Sequence, residues 1–410
     1  MNYKKMTNIL HITPHLGGGI GTVLLNWLSY DKSNSHTVVT LDYANEFGIN
    51  ICRENRIELF SQIPVKDILS KIQNADITVI HFWNHPLLYD FLIRNPLPKS
   101  RTIFWFHVSG AKPPYVFNKK LFDICDRFVF TTPISYYYVQ NNPKLACILS
   151  TGGAEKFNNI KHKKHNGYTI SYIGTVDYVK MHPDYVKTIT KTNADKIIVA
   201  GGDNEKEIFK NADRRFDILG KINDITPVLE QTDVFAYLLN PNHYGTAEQV
   251  LQEVMTSGIV PVVLNNPCEA SLVKHFETGL IANNLDEYVE YINRLKNDVE
   301  LRTKLSENAK EYAKNEFSLK HLTNEWQNLF DEVLKSDKTE KIWKTSNPNL
   351  TSYDIFLESL GEYSAIFKNK TKEELKQILK QPEWSSKTKA TPYQYYDFLG
   401  GDELKKLLSL

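Results

Sequence analysis

The sequence predicts an α/β protein with two doubly wound, parallel-sheet domains and a mainly helical C-terminal tail. Short apolar runs rich in β-branched residues alternate with helical patterns, and this alternation occurs twice. A polar and basic stretch at residues 151–167 separates the two series, and we interpret it as a linker. A chain of 410 residues is long enough for two or three domains of ordinary size.

The first series contains six apolar runs that are bounded by turn residues. Continuous apolar runs are typical of strands buried on both faces, which favours a parallel sheet. We assign this series to an N-terminal Rossmann-like domain at residues 1–160. Its runs are "NILHIT", "HTVVTL", "ITVIHFW", "RTIFWFHV", "RFVFTT" and "ACILS".

The second series predicts another Rossmann-like domain at residues 161–335, which ends in a charged helical stretch. Residues 336–410 are predicted to form a helical tail, with a helix at "TKEELKQILK". We expect the aromatic cluster "PYQYYDFL" to pack the tail onto the N-terminal domain; the alternative is an acceptor or partner surface. The strands of the second series are "YTISYIG", "KIIVAGG", "RFDILG", "VFAYLL" and "VPVVL".

Composition excludes several classes of function. A net charge of +1 provides no overall field for nucleic acid. The four cysteines form no Cys-x-x-Cys pair, which indicates a reducing compartment and no zinc site. The N-terminus lacks a signal-peptide core, and no apolar run approaches the ~20 residues of a membrane span. We therefore expect a soluble, cytoplasmic protein.

Glycines cluster between the first strand and the first helix, at Gly17, Gly18, Gly19 and Gly21. The chain does not match the dinucleotide-binding fingerprint, because Thr22 stands where the third glycine is required. It does not match the P-loop of nucleoside triphosphatases either, because no Gly-Lys-Ser/Thr follows. Glycines at a helix N-terminus still allow backbone N–H groups to approach an anion. The alternative is a tight strand-to-helix turn without a ligand.

A more specific pattern lies in "YGTAEQVLQEVMTSGIVPVV", where Glu253 stands five residues before Gly258 and a Pro-Val strand follows. This segment resembles the donor site of GT-B glycosyltransferases, particularly glycosyltransferase family 4. "SYIGTVDYVK", "IIVAGGD", "QTDVFAYL" and "HFETGLIANN" resemble other segments of that family, and the resemblance runs from Asn8 to Trp326. It implies the GT-B fold, in which two Rossmann-like domains face each other across a cleft.

The resemblance assigns roles to residues of the second domain. Lys180 falls where the family has its phosphate-binding lysine, and Glu253 where a glutamate binds the ribose hydroxyls. Gly174 and Thr175 are expected to contact the donor, although the family usually has arginine in place of Thr175. Lys112, Arg214 or a linker residue would then supply the missing cation. The glycine cluster would face the donor phosphates.

A second departure concerns the family glutamate that contacts the donor sugar. Gly245 occupies its position, and Thr246 follows in the same loop. Either Glu248 or His243 substitutes for that carboxylate, or the chain is catalytically impaired.

Histidines at strand ends are the candidates in the first domain. His107 follows a buried-looking strand, where a histidine is suited to hydrogen bonding or proton transfer; the alternative is a core histidine. His81 and His85 are expected to line the same cleft, but no third ligand accompanies them, so we predict no metal site. His15 and Asn84 are further candidates on the acceptor side.

Together these resemblances imply a glycosyltransferase with His107, Glu248 and Lys180 as catalytic residues. It would transfer a sugar from a UDP- or GDP-linked donor to a hydroxyl of a glycan, lipid-linked or protein acceptor, with retention. No metal or separate cofactor is expected, and the protein would act in surface-glycan synthesis, in the cytoplasm or at the inner face of the membrane. The alternatives are a non-catalytic GT-B subunit that partners an active transferase, and a sugar-nucleotide epimerase.

Overall fold

The computed structural model describes residues 6–139, 142–149, 151–202, 204–245, 248–345, 349–386 and 390–410, with the backbone alone at residues 137–138. The chain divides into two units. The first comprises Met1–Ile148 together with Leu322–Leu410, and the second comprises Leu149–His321. In the described parts of the chain, every helix is too short or too polar to span a bilayer.

Strands and helices alternate along most of the chain. The strands are β1 (Thr7–Thr13), β2 (Asn34–Thr40), β3 (Glu58–Ser61), β4 (Ile77–Phe82), β5 (Leu97–Ser100), β6 (Thr102–Phe106), β7 (Arg127–Phe130), β8 (Leu145–Cys147), β9 (Thr169–Ile173), β10 (Lys196–Ala200), β11 (Phe216–Gly220), β12 (Val234–Tyr237), β13 (Val260–Leu264), β14 (Leu280–Ala282) and β15 (Thr339–Lys341). The helices are α1 (Gly18–Tyr30), α2 (Glu46–Glu54), α3 (Val65–Asn74), α4 (Pro86–Arg94), α5 (Lys120–Asp123), α6 (Tyr185–Thr190), α7 (Glu205–Ile208), α8 (Thr226–Leu229), α9 (Gln249–Thr256), α10 (Pro267–Ala270), α11 (Leu285–Asn297), α12 (Val299–Glu316), α13 (Leu319–Val333), α14 (Ser352–Ser359), α15 (Lys372–Leu379), α16 (Pro382–Ser385), α17 (Pro392–Leu399) and α18 (Asp402–Leu408).

The first unit is built on a parallel sheet with the strand order β3-β2-β1-β4-β6-β7-β8. Strands β4 and β6 are buried along their whole length, as expected for strands covered on both faces. The chain leaves β1 in one direction across the sheet and returns to β4 on its other side. The carboxyl ends of β1 and β4 therefore form the topological switch point, which is where doubly wound folds place their ligands.

The second unit repeats this plan in six parallel strands with the order β11-β10-β9-β12-β13-β14. Its switch point lies between β9 and β12. The prediction of two doubly wound α/β units with a helical C-terminal region is therefore confirmed.

The chain divides at other residues than the predicted boundaries of 160 and 335. The backbone N–H and hydroxyl of Thr151 donate to Gln252 Oε1 at 3.0 and 2.9 Å, and Phe157 is buried, so the first part of the predicted linker belongs to the second unit. Within α13, Trp326 stacks on Trp27 with 4.8 Å between ring centroids, which places this segment in the first unit. The second boundary, at His321, therefore precedes the residues of α13 that pack on the first unit.

The C-terminal tail belongs to the first unit. Strand β15 pairs with β5 in an antiparallel ribbon, and helices α14 and α17 pack on α4. The hydroxyl of Tyr89 on α4 donates to the carbonyl of Ser359 at 3.2 Å. The aromatic cluster predicted at residues 392–399 is α17, where Tyr395 is fully buried.

Candidate active site

The glycine cluster forms the turn from β1 into α1. Gly17 is the N-cap residue with extended backbone, whereas Gly18 has φ +63°, a conformation that favours glycine. A side chain at Gly21 would touch the backbone of Leu16 at 3.1 Å, so α1 and the loop after β1 approach closely here. Gly18 and Gly19 are exposed, and the first-turn N–H groups of α1 lie at the carboxyl edge of the sheet.

Three rings follow the carboxyl ends of β1, β4 and β6. His15 follows β1 and lies edge-on to Trp83, with 5.2 Å between centroids. Trp83 follows β4 and lies 6.3 Å from His107, the residue directly after β6. Tyr43 stacks on His15 at 5.1 Å and is 47% exposed. Sequence reasoning missed Trp83 and Tyr43, although Trp83 directly follows a strand.

The other first-unit candidates support the fold around these rings. His81 is fully buried, and its Nδ1 lies 3.1 Å from His107 Nε2. His85 caps α4, where its Nδ1 accepts from the backbone N–H of Leu87, and its ring contacts Phe398 of the tail. Asn84 is 1% exposed and donates to the carbonyl of Val116 at 2.7 Å. His85 and Asn84 are thus engaged in capping and packing.

In the second unit, the loops after β9 and β12 meet at the switch point. The backbone N–H of Asn240 donates to the carbonyl of Lys180 at 2.8 Å, and the Asn240 amide donates to the carbonyl of Tyr178. These bonds fix the backbone of Lys180 between the ends of two neighbouring strands.

The side chain of Lys180 is paired with a buried carboxylate. Its ammonium donates to Glu248 Oε2 at 3.0 Å, and the hydroxyl of Tyr237 donates to the same oxygen at 2.5 Å. Only 14% of the Lys180 side chain and 2% of the Glu248 side chain are exposed. Burial disfavours both charges, but their mutual attraction outweighs it and holds the pKa of Lys180 above, and that of Glu248 below, its usual range.

Glu248 occupies space that Gly245 leaves open. A Cβ atom at Gly245 would lie 2.0 Å from Glu248 Oε1 and 2.2 Å from the Cε1 atom of His243. Glu248 adopts a left-handed backbone with φ +38° immediately before α9, which is strained for a residue with a side chain. The structure therefore brings three of the predicted residues, Gly245, Glu248 and Lys180, into one cluster. Thr246 lies outside the described residues.

His243 joins this cluster to Glu269, a residue that sequence reasoning missed. The backbone N–H of Gly245 donates to His243 Nδ1 at 2.8 Å, so Nε2 carries the proton and donates to Glu269 Oε2 at 2.9 Å. Asn266 donates to the other oxygen of Glu269 at 2.8 Å. Glu269 lies in α10, shortly after the end of β13. Its position after a predicted strand was the sequence signal that could have identified it as a site residue.

Glu253 lies on α9 and is 9% exposed. Its Oε1 accepts from the amide of Gln249 at 2.8 Å. Burial raises the pKa of the Glu253 carboxyl to about 6, against the smaller opposing effects of Lys156 and Gln249. This carboxylate is separate from the ion pair of Glu248.

The remaining predicted donor residues lie at the ends of β9 and β11. Gly174 follows β9, and the hydroxyls of Thr175 and Tyr244 lie 3.4 Å apart. Arg214 is exposed two residues before β11, at the opposite edge of the sheet from Lys180. Lys221 directly follows β11 at the same edge as Lys180, and it was not among the predicted cations. Lys112 is exposed in the loop after β6 of the first unit.

Across the described ranges, no three histidine, cysteine, aspartate or glutamate side chains are arranged to hold a metal ion.

Residues 154–312, which lie within the second unit, match the family model "Glycosyl transferases group 1". The chain is also similar to N-acetyl-alpha-D-glucosaminyl L-malate synthase from Bacillus anthracis, with 22% identity over 165 residues. That alignment covers 38% of this chain and only 42% of the length of the relative.

Solved structures match over more of the chain. HepE from Anabaena, crystallised with UDP and glucose, has a TM-score of 0.66 and 13% identity, and covers 80% of this chain and 100% of its own. A glycosyltransferase from Rickettsia africae has a TM-score of 0.65 and 15% identity, with 81% and 100% covered. The chain therefore has the GT-B fold, and its second unit is similar to the glycosyltransferase group 1 family, as the sequence resemblance implies.

Proposed function

We propose that this chain is a glycosyltransferase that moves a sugar from a nucleotide-sugar donor to a hydroxyl acceptor, and that the second unit binds the donor. The observation that carries the proposal is the buried pair of Lys180 and Glu248 at the switch point of a group 1 domain. A buried ion pair is a poor source of stability, since desolvation offsets its attraction. Its place at a ligand-binding edge favours a role in chemistry.

Lys180 is assigned to the diphosphate of the donor. Negative charge grows on the leaving diphosphate during transfer, and a fixed cation stabilises that charge more in the transition state than in the ground state. On this proposal the enzyme requires no divalent metal.

Glu248 is assigned to the donor sugar, in place of the family glutamate whose position Gly245 occupies. The support is spatial, because the Glu248 carboxylate fills the volume into which a side chain at Gly245 would project. This favours an active enzyme over a non-catalytic subunit. Glu253 is assigned to the ribose, since a carboxylate can accept hydrogen bonds from both hydroxyls of a vicinal diol.

The first unit is assigned to the acceptor, with His107 as the hydrogen-bonding or proton-accepting group. The half-buried Trp83 beside it provides an apolar ring face of the kind that carbohydrates pack against. Retention of configuration and a role in surface-glycan synthesis follow from the family resemblance. The complex of HepE with UDP makes UDP-linked sugars the first donors to test.

The test is a binding and turnover panel on the purified chain. UDP-, GDP- and ADP-linked sugars are compared by thermal stability, where a ligand at about 100 times its Kd adds about 2.7 kcal/mol. Hydrolysis of the stabilising donor is then measured without acceptor. Lys180→Met is expected to weaken both responses strongly, whereas Lys187→Met, at a lysine whose side chain is 76% exposed, leaves them unchanged. Absence of any nucleotide binding would refute the proposal, and isomerisation of the donor without acceptor would indicate an epimerase.

A further inference from the structure

Four histidines and one aspartate of the first unit form a continuous row of hydrogen bonds, here called the histidine chain. It begins at His107, whose Nε2 lies 3.1 Å from His81 Nδ1. His81 Nε2 lies 3.1 Å from His11 Nδ1. His11 Nε2 lies 3.0 Å from His36 Nδ1, and His36 Nε2 lies 3.1 Å from Asp31 Oδ2.

The sheet produces this row by a constant stagger. The four histidines belong to β2, β1 and β4 and to the residue after β6, which are neighbours in that order. Each step moves one strand across and two residues toward the carboxyl end, so the side chains stay on one face of the sheet. The register partners that define the stagger are His36–Ile9, His11–Val79 and His81–Trp105.

Asp31 gives the row a direction. A carboxylate only accepts hydrogen bonds, so the Nε2 atom of His36 must carry the proton. A neutral imidazole has one donor and one acceptor nitrogen, so His36 Nδ1 accepts from His11 Nε2–H. The same reasoning applies at each further step, and it ends with His107 protonated at Nε2 and accepting at Nδ1.

The surroundings favour neutral His11, His81 and His107 and an ionised Asp31. Burial lowers the pKa of His81 to about 3 and those of His11 and His107 well below the usual value. Burial opposes the charge of Asp31, but hydrogen bonds from His36, Asn34 and Ser33 lower its pKa to about 2. Neighbouring tryptophan rings also enclose the row, for example Trp105 at 4.7 Å from His107.

We infer that Asp31 fixes the tautomer of His107 through the three histidines between them. Asp31 and those histidines are positioning residues, and His107 is the group that meets a hydroxyl of the substrate through Nδ1. If Nδ1 takes up the hydroxyl proton, His107 becomes an imidazolium whose Nε2–H still donates to His81. The aligned row that ends on a carboxylate stabilises this positive charge, as a carboxylate does for histidine in hydrolase triads.

The catalytic part of this inference rests on the proposed function, whereas the tautomer does not. Long-range ¹H–¹⁵N NMR of the histidine-labelled full chain distinguishes Nε2–H from Nδ1–H imidazoles without any substrate. At pH 8 we expect His107, His81, His11 and His36 to be neutral Nε2–H tautomers. An Nδ1–H tautomer at His107 would overturn the inference. A doubly protonated His36 would also overturn it, because its Nδ1–H would donate to His11 and reverse the direction of every hydrogen bond from there to His107. Neither result would bear on glycosyl transfer itself.

Asp31→Asn is the decisive variant because it should reverse the row. The backbone N–H of Ser33 donates to Asp31 Oδ1 at 2.7 Å, so the amide oxygen is retained there and the NH₂ group faces His36. The Asn34 amide now donates to Oδ2 at 2.8 Å, so in the variant it must turn its oxygen toward the NH₂ group. His36 Nε2 must then accept, and His107 becomes an Nδ1–H donor. We expect turnover to fall at least about tenfold, since positioned proton transfer typically contributes ~10²–10⁴-fold. The Kd for the nucleotide should stay within about twofold of the wild-type value, since Asp31 belongs to the first unit and the donor is assigned to the second.

Ile72→Ala is the control for a merely structural effect. Ile72 is fully buried on α3 of the same unit, and no member of the histidine chain is altered by the substitution. It should lower the melting temperature and leave both the tautomers and the turnover per folded molecule unchanged. If Asp31→Asn retains wild-type turnover, or if Ile72→Ala lowers turnover to the same extent, the positioning role is refuted. If Asp31→Asn does not fold, the wild-type spectrum decides the assignment.

Discussion

The two units bring polar side chains to equivalent places in the same topology, but in different chemical states. At the switch point of the first unit, histidine rings run from His107 across the sheet to one carboxylate, Asp31. At the switch point of the second unit, Lys180 and Glu248 form a compact ion pair. Our proposal assigns protons and hydroxyl groups to the first arrangement and charge to the second.

The difference follows from what each side chain can satisfy when it is buried. A neutral imidazole has one donor and one acceptor, so histidines can be linked in series without any charge inside the protein. A buried ammonium or carboxylate needs an opposite charge in direct contact. Asp31 and Glu253 show the two extremes, because hydrogen bonds lower the pKa of Asp31 whereas burial raises that of Glu253.

The largest effect is expected from Lys180→Met. Loss of the cation should lower turnover by about 10²–10³, the range seen when one electrostatic stabiliser of a transition state is removed. It should also lower the free energy of unfolding by about 3–5 kcal/mol, because Glu248 is left as a buried, unpaired charge. Denaturant unfolding and single-turnover kinetics measure the two effects.

The double variant Lys180→Met/Glu248→Gln separates these effects. It removes both charges, so much of the lost stability should return while turnover remains low. Recovery of turnover together with stability would show that the ion pair only supports the fold, and the contrast between the units would then lose its functional meaning.

His107→Ala should reduce turnover by about a hundredfold, the lower part of the range for positioned proton transfer. Nucleotide affinity should be nearly unchanged, since His107 belongs to the first unit. Calorimetric binding of the nucleoside diphosphate and steady-state kinetics on the same preparation test both statements.

Glu253→Ala should do the opposite and mainly weaken nucleotide binding. A hydrogen bond to a charged group contributes about 1.5–3 kcal/mol, which corresponds to roughly ten- to a hundredfold in Kd. Turnover at saturating donor should change little, because the ribose contact exists in both ground and transition states. If Glu253→Ala binds the nucleotide normally while His107→Ala does not, the first unit binds the donor and our assignment of the two units is wrong.

Glu253→Gln should change how stability depends on pH. The pKa of Glu253 rises from 4.5 to about 6 on folding, so the folded state binds more protons between these values. Wild-type stability therefore falls as pH rises from about 4.5 to 6, by about 2 kcal/mol from this group. The variant should lack this loss, and above about pH 7 its free energy of unfolding should exceed that of the wild type by a constant amount. An unchanged pH profile would show that Glu253 is not desolvated.

Removal of divalent ions should have the smallest effect. On the proposal that Lys180 stabilises the diphosphate, transfer should proceed at the same rate in EDTA and in magnesium. A rate that EDTA abolishes and magnesium restores would contradict this.

Long apolar runs made most of the fold predictable. All eleven predicted strands overlap observed ones, because strands buried on both faces have continuous apolar sequences. Four strands were missed, and all are short: β3 reads "ELFS", β5 reads "LPKS", β14 reads "LIA" and β15 reads "TEK". The second domain boundary was also missed, because helix α13 carries no sequence signal for the partner of Trp326.

The candidate site was predictable residue by residue but not as an arrangement. Lys180 and His107 were predicted from their positions after strands and from the family resemblance, and Glu248 as one of two substitutes for the family glutamate that is missing at Gly245. The histidine chain could not be predicted, because it depends on strand order and on a two-residue stagger that no local pattern encodes. Glu269 was missed because its partner His243 is 26 residues away in the chain.

The division of the first unit into two segments also constrains how the protein is made. Ribosomes add about 5–20 residues per second from the N-terminus, and domains generally fold as they emerge. Leu149–His321 is continuous and can fold as soon as it is synthesised. The N-terminal sheet must wait for Trp326 to cover Trp27 and for β15 to pair with β5. The first unit is therefore the first to begin synthesis and the last to complete its fold.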